Sequence, residues 1–170
     1  MHRLIISSLI LLPTLAFAGQ RAGIGVRSSA FANNGAIPSE YTCDGSQTSP
    51  PMSWSKVPAA TKSIAILVVD PDAPKGTFTH WLVTGLDPTT TEIGKDTALP
   101  SGAMAMKNDT GNTGYAGPCP PSGMHHYRFQ IFALDIAAPK ATTRAAFLTE
   151  IKGHTLATGY LVGTYEREKQ

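Results

Sequence analysis

Two short stretches of this chain hold acidic and imidazole side chains at spacings that a rigid backbone can bring together. The first is Asp70-Pro71-Asp72-Ala73-Pro74, followed a few residues later by His80-Trp81. Its two prolines fix φ and so hold the carboxylates in place. A carboxylate beside an imidazole orients the ring and raises its pKa, which favours the cation that binds anions. The plainer reading is an Asx-Pro turn next to a core-packed His-Trp pair. The second stretch is Gly114-Tyr115-Ala116-Gly117-Pro118-Cys119-Pro120-Pro121-Ser122-Gly123, after which His125-His126-Tyr127 opens a strand. Glycines let backbone approach a ligand closely, and N–H groups in irregular turns form concavities for anions. Neighbouring strand residues face opposite ways, so His125 shares a face with Tyr127 while His126 points away. Here the plainer reading is a rigid turn with surface histidines.

The elements that must position these groups read mainly as strands. Ser63-Ile64-Ala65-Ile66-Leu67-Val68-Val69 is a short β-branched run that Pro71 stops. His80 to Thr84 and Tyr127 to Leu134 are two more strands, the latter with Tyr127, Phe129, Ile131 and Ala133 on one face. Leu156 to Tyr165 alternates too, and its Gly159 and Gly163 mark bends or close backbone approach. Gly25-Val26-Arg27 and Met52-Ser53-Trp54 are shorter candidates, as is Ala103 to Met106. One helix is indicated, capped by Thr142 or Thr143, with Phe147, Leu148 and Ile151 as its apolar face and Gly153 just past its end. His154 would then sit at the helix C-terminus. Trp54 and Trp81 read as core aromatics. Low helix content with 16 Gly and 13 Pro favours an antiparallel β architecture with peripheral helices. Strands joined by residues 71–79 are most simply an antiparallel pair, which places Asp70 and Asp72 near His80. Residues 94–123, long and rich in Gly and Pro, read as a loop pinned over a site.

The ends and totals bound the function. Met1-His2-Arg3 is a short basic start, Leu4 to Leu15 is largely apolar, and Ala16-Phe17-Ala18 is a small-x-small cleavage pattern. Residues 1–18 are therefore expected to be a cleaved signal peptide, leaving 19–170 as a single domain. The apolar stretch is too short for a membrane span, and no integral membrane segment is expected after cleavage. Location follows as periplasmic in a two-membrane bacterium, otherwise secreted. The formal net charge is only +2 and no basic run occurs, so nucleic acid is not an expected partner. An exported chain meets an oxidising compartment, and two cysteines without Cys-x-x-Cys spacing, Cys43 and Cys119, suit one structural disulfide. Two free buried thiols are the alternative.

Together the two motifs resemble the signature regions of the phosphatidylethanolamine-binding protein family, which includes Raf kinase inhibitor proteins and bacterial relatives. Further matching pieces are Cys43-Asp44-Gly45, Ser49-Pro50-Pro51-Met52-Ser53-Trp54, Pro58 to Ser63, Lys107-Asn108-Asp109 and Val162-Gly163-Thr164-Tyr165. The resemblance covers roughly Val26 to Tyr165. It implies a mostly β fold of two antiparallel sheets in a Greek-key, sandwich-like arrangement with a few short peripheral helices. It also implies a small, partly exposed pocket for an anion such as phosphate or phosphoethanolamine, without a cofactor. The implied pocket residues are Asp70, Asp72, His80, His125 and Tyr127, with backbone around Gly117, Cys119 and Pro120 as an oxyanion-facing wall. The sequence departs from the pattern at Thr110, where bacterial relatives commonly carry an aromatic residue. It departs again in the loop between Pro74 and His80, which is short and lacks a tryptophan seen in some relatives. Either change widens the pocket rim.

These residues suggest binding rather than turnover. His80, His125 and Tyr127 would donate hydrogen bonds to anion oxygens, Asp70 would hold an imidazole in register, and Asp72 would face a ligand ammonium. A partner protein inhibited by the chain is a second possibility that the resemblance implies. The competing reading is a metal-dependent or phosphoester hydrolase using the same Asp and His groups. No Ser nucleophile flanks the histidines, and a disulfide would silence Cys119. A third reading is a protein–protein module whose pocket is vestigial.

Overall fold

The computed structural model describes residues 23–167, so the expected signal peptide lies outside the described residues. Nine strands and one helix follow in order: β1 (Gly25–Arg27), β2 (Gly35–Ala36), β3 (Met52–Ser55), β4 (Ser63–Asp70), β5 (Phe78–Leu86), β6 (Glu92–Ile93), β7 (Met104–Ala105), β8 (His125–Leu134), α1 (Arg144–Glu150) and β9 (Thr155–Tyr165). A 3-10 turn spans Ser39–Tyr41. The strands form two sheets, ordered β1-β3-β6 and β2-β9-β8-β4-β5-β7. β4 and β5 form the expected antiparallel pair, and the chain then crosses to place β8 on the other edge of β4. The fold is mostly β with two sheets. Two details depart from expectation. β2 runs parallel to β9, and the described residues hold one α-helix rather than several.

The unbroken apolar run of β4 has a direct cause. Every residue from Ser63 to Asp70 is buried, because the strand lies inside the large sheet with both faces covered. Ile64, Ile66 and Val68 pack between the sheets with Trp54, Phe129 and Ile131. Ala65, Leu67 and Val69 pack on the far face beneath Phe147 and Ile151 of the helix segment. β8 keeps the alternation read from sequence, with Tyr127, Phe129, Ile131 and Ala133 all in the inter-sheet core. Trp54 and Trp81 belong to that core as well.

The helix begins where Thr143 caps it, its side chain accepting from the Ala146 amide. Gly153 adopts φ +86° two residues past the C-cap Ile151, one residue beyond the C′ position expected for it. Leu148 is 40% exposed, because it lies about 100° around the helix from Phe147, and only Phe147 and Ile151 face inward. His154 lies just past the helix, its amide donating to the Ile151 carbonyl at 2.9 Å, while its ring Nδ1 pairs with Asp135 at 2.8 Å. Gly159 is a close approach, since a Cβ there would lie 1.9 Å from the Ile24 carbonyl oxygen.

Candidate functional site

β4 ends at Asp70, β8 begins at His125, and β5 carries His80 as its third residue. Register makes neighbours of these ends, with Asp70 opposite Phe78 and Val69 opposite Arg128. The Asp70 Oδ1 accepts from the Asp72 amide at 2.8 Å, an Asx turn that folds the carboxylate inward. Its Oδ2 meets His125 Nδ1 at 2.7 Å. Both side chains of this pair are nearly inaccessible, 5% and 9% exposed, so the ring is held by a charge-assisted bond in a water-poor setting.

His80 is held differently. Its Nδ1 lies 2.8 Å from the Ala116 carbonyl oxygen. A carbonyl can only accept, so Nδ1 carries the proton and Nε2 is the nitrogen left over. Burial pushes the His80 pKa below its ordinary value, opposed by the Ala116 bond and by the charges of Asp70 and Asp109. Sequence reasoning expected a carboxylate to raise this pKa. The carboxylate goes instead to His125, and desolvation dominates at His80.

The loop expected over the site is tied down along its length. Asp109 exchanges two bonds with Thr79: its amide donates to the Thr79 carbonyl at 3.0 Å, and its carboxylate accepts from the Thr79 amide at 2.7 Å. The buried Asn108 donates to the Gly114 carbonyl at 2.9 Å, and the Ala116 amide donates to the His80 carbonyl at 2.9 Å. Cys43 and Cys119 form a disulfide, and the Cys43 amide donates to the Pro118 carbonyl. Gly117 fits because a Cβ there would lie 2.8 Å from the Tyr41 oxygen and 2.9 Å from the Thr42 Cα, both backbone atoms. The adjoining Asp44 receives Tyr165 and a two-pronged Arg167 contact. That guanidinium, with the Tyr165 hydroxyl next, holds its carboxyl below the usual range.

Between these walls lies a pocket of about 330 Å3. Asp70, His80, His125, Gly117 and both cysteines line it, together with Gln47, Ala73, Pro74, Phe78, Thr110, Ala116 and Pro121. With their Nδ1 atoms engaged, both histidines leave Nε2 for the pocket. The Gly117 amide takes no partner among the described residues.

Three residues expected in the pocket lie off its surface. Asp72 is exposed and accepts at Oδ2 from both the amide and Nδ1 of His126, each at 2.8 Å; the His126 side-chain bond, then its amide, lowers the Asp72 pKa. Pro120 is buried, and Pro121 faces the pocket instead. Tyr127 is fully buried, packed edge-on to His80 with ring centroids 5.2 Å apart, and its hydroxyl makes no hydrogen bond of ordinary geometry among the described residues, although the Cys119 backbone faces it and pulls its pKa down. Burial first, then the charges of Asp70 and Asp72, push its pKa up. Gln47, Phe78 and Thr110 were not legible as pocket residues. Among them only Thr110 carried a signal, as the departure from the pattern. Among the described residues, no group of three or more His, Cys, Asp or Glu converges as metal ligands.

Fold and site together define a two-sheet β protein with a small pocket built where β4, β5 and β8 meet. Residues 27–166 match the sequence profile of the phosphatidylethanolamine-binding proteins. The chain is 40% identical to a UPF0098 protein of Methanothermobacter thermautotrophicus, over 85% of this chain and 99% of the relative. It is also 40% identical to a UPF0098 protein of Aquifex aeolicus, over 89% of this chain and 94% of that one. Among solved structures, E. coli YbcL, described as a member of the mammalian PEBP family, superposes with a TM-score of 0.81 at 32% identity. That match covers 86% of this chain and all of YbcL. The Chlamydia trachomatis PEBP homologue CT736 gives 0.81 at 35% identity, covering 86% and 99%. The chain belongs to the phosphatidylethanolamine-binding protein family.

Proposed function

We propose that this chain is an exported binding protein for a small phosphate-type anion, free or as a phosphorylated head group. One observation carries the reading: His80 and His125, each with its Nδ1 engaged and its Nε2 left over, line one pocket together with Gly117. Such a set meets an oxyanion through directed hydrogen bonds on a rigid frame, each Nε2 accepting from a protonated anion oxygen when its ring is neutral and donating to an unprotonated one when its ring is protonated. The family name points to the same chemistry. Export is supported by the basic, apolar and small-x-small order of residues 1–18 and by a disulfide of the kind oxidising compartments favour. Asp72 lies off the pocket lining, paired with His126, and takes no part in this reading.

The test is calorimetric titration of the purified protein with inorganic phosphate and with phosphoethanolamine. Saturable binding that His125→Ala abolishes supports the reading. Absence of heat at millimolar ligand for both compounds overturns it.

A further inference from the structure

The disulfide that silences Cys119 as a nucleophile makes its sulfur an electrophile. Cys43 and Cys119 join two loops, and both line the same pocket as His80, His125 and Gly117. The two ends are unequal: Cys119 is exposed, whereas Cys43 is half-buried. Exposed disulfides are the labile, regulatory or catalytic ones, in contrast to those sealed in a core. Resting on the anion reading above, we propose that the pocket is a thiol–disulfide exchange site for small thiols that carry a phosphate group, with Cys119 as the sulfur attacked.

The step balances with the thiol as the only reagent. Its thiolate attacks Cys119 Sγ, a new S–S bond forms to the incoming sulfur, and Cys43 leaves as the thiolate. A second molecule of thiol attacks the incoming sulfur and releases Cys119. The two thiols depart as their own disulfide, having given two electrons, and their protons go to the two cysteine thiolates. Access decides which sulfur is attacked, and the more exposed end is Cys119. A phosphate held in the same pocket of about 330 Å3 keeps the attached thiol beside the disulfide, so attack becomes effectively intramolecular. Two carboxylates stand nearby and each is paired: Asp70 with His125, and Asp44, next to Cys43, with Arg167. The loops stay together once the bond opens. The Cys43 amide donates to the Pro118 carbonyl at 3.0 Å, and the Tyr115 hydroxyl donates to the Tyr41 carbonyl at 3.0 Å. The two sulfurs therefore remain neighbours, and the exchange is reversible.

The experiment follows reduction of the folded protein by 2-mercaptoethyl phosphate and by 2-mercaptoethanol, which share a carbon skeleton and differ in the phosphate. Rates per thiolate are divided by those for a linear peptide disulfide at constant ionic strength, which removes each reagent's own reactivity and charge. The phosphate-bearing thiol should be favoured at least roughly tenfold, the worth of one hydrogen bond to a charged group. Millimolar inorganic phosphate should slow it to the rate of the neutral reagent. After alkylation of the freed thiol, mass spectrometry of the digest should find the reagent on Cys119 and the alkyl group on Cys43. Equal relative rates, indifference to phosphate, an adduct on Cys43, or a disulfide inert to both reagents would each overturn the proposal. In those cases the anion pocket still stands if calorimetry shows saturable phosphate binding, and falls too if it shows none.

Discussion

Replacing Asp70 perturbs the joint on which the pocket depends, and two substitutions separate its charge from its shape. The carboxylate accepts from the Asp72 amide at 2.8 Å and from His125 Nδ1 at 2.7 Å, and the residue is 4% exposed. Asp70→Ala removes both acceptors and leaves His125 Nδ1 unpaired in a dry site. Losing one member of a buried pair costs about 3–5 kcal/mol. At roughly 2–4 °C per kcal/mol for a domain of this size, Tm should fall by about 6–20 °C. Asp70→Asn keeps the volume and an oxygen for the Asp72 amide. Its NH2 can face His125 only if the ring adopts the other tautomer, so the loss should be smaller, roughly 1–2 kcal/mol. Scanning calorimetry with the disulfide intact measures both, and 15N spectra of the imidazole report the tautomer of His125. The order should be unaltered protein, then Asn, then Ala. An Ala variant melting within about 2 °C of the unaltered protein would mean that Asp70 is not a structural joint, because one of this burial cannot be removed without cost.

Much of the fold was legible because it rests on local pattern. β4, β5, β8 and β9 each gave a β-branched or alternating run, and the turn residues between them are unambiguous. β2 and β6, two residues each, carry no period to detect. They exist because β9 and β3 offer an edge, which only tertiary structure supplies. The site was legible as a set of residues but not as a set of pairs. The hairpin logic placed both aspartates beside His80, since 71–79 is the local connection. The structure adds the β4–β8 pairing, which brings His125 and His126 to Asp70 and Asp72 from 55 and 54 residues away. Long-range register of that kind leaves no trace in one sequence. Face alternation still chose His125 over His126 as the buried ring, because period 2 survives whatever the strand pairs with. Pro120 and Pro121 could not be separated in the same way, since an irregular loop has no period.

Four further outcomes follow from particular contacts. Tyr127→Phe removes a buried hydroxyl that makes no hydrogen bond of ordinary geometry among the described residues, so calorimetry should show a Tm unchanged or raised by a few degrees; a clear fall would mean the hydroxyl is bonded, the Cys119 backbone being the group that faces it. Gly117→Ala forces a Cβ against Tyr41 and Thr42 backbone and should cost about 1–3 kcal/mol in chemical denaturation; a loss under about 0.5 kcal/mol would contradict the packing. Replacing Cys43 and Cys119 by Ser opens a loop with sequence separation 76 and should cost up to about 4.5 kcal/mol on the chain-entropy model, read from the denaturation midpoint; an unchanged midpoint would contradict this. The His80 pKa is lowered in the folded state, so the unfolded chain binds the extra proton. Stability from this group is present above about pH 6.5 and is lost as pH falls through the folded value. His80→Phe should flatten the denaturation free energy between about pH 7 and 5, and an unaltered slope would contradict the assignment.

The central claim is that one pocket between β4, β5 and β8 presents His80 and His125 to a phosphate-type anion. Its most direct test is an NMR titration of the protein with inorganic phosphate, following the imidazole signals of His80, His125, His126 and His154. Saturable shifts with a single apparent affinity are expected at His80 and His125, with little change at His126 and His154, whose Nδ1 atoms pair with partly exposed aspartates outside the pocket lining. No shift at millimolar phosphate, or equal shifts at all four rings, would contradict it.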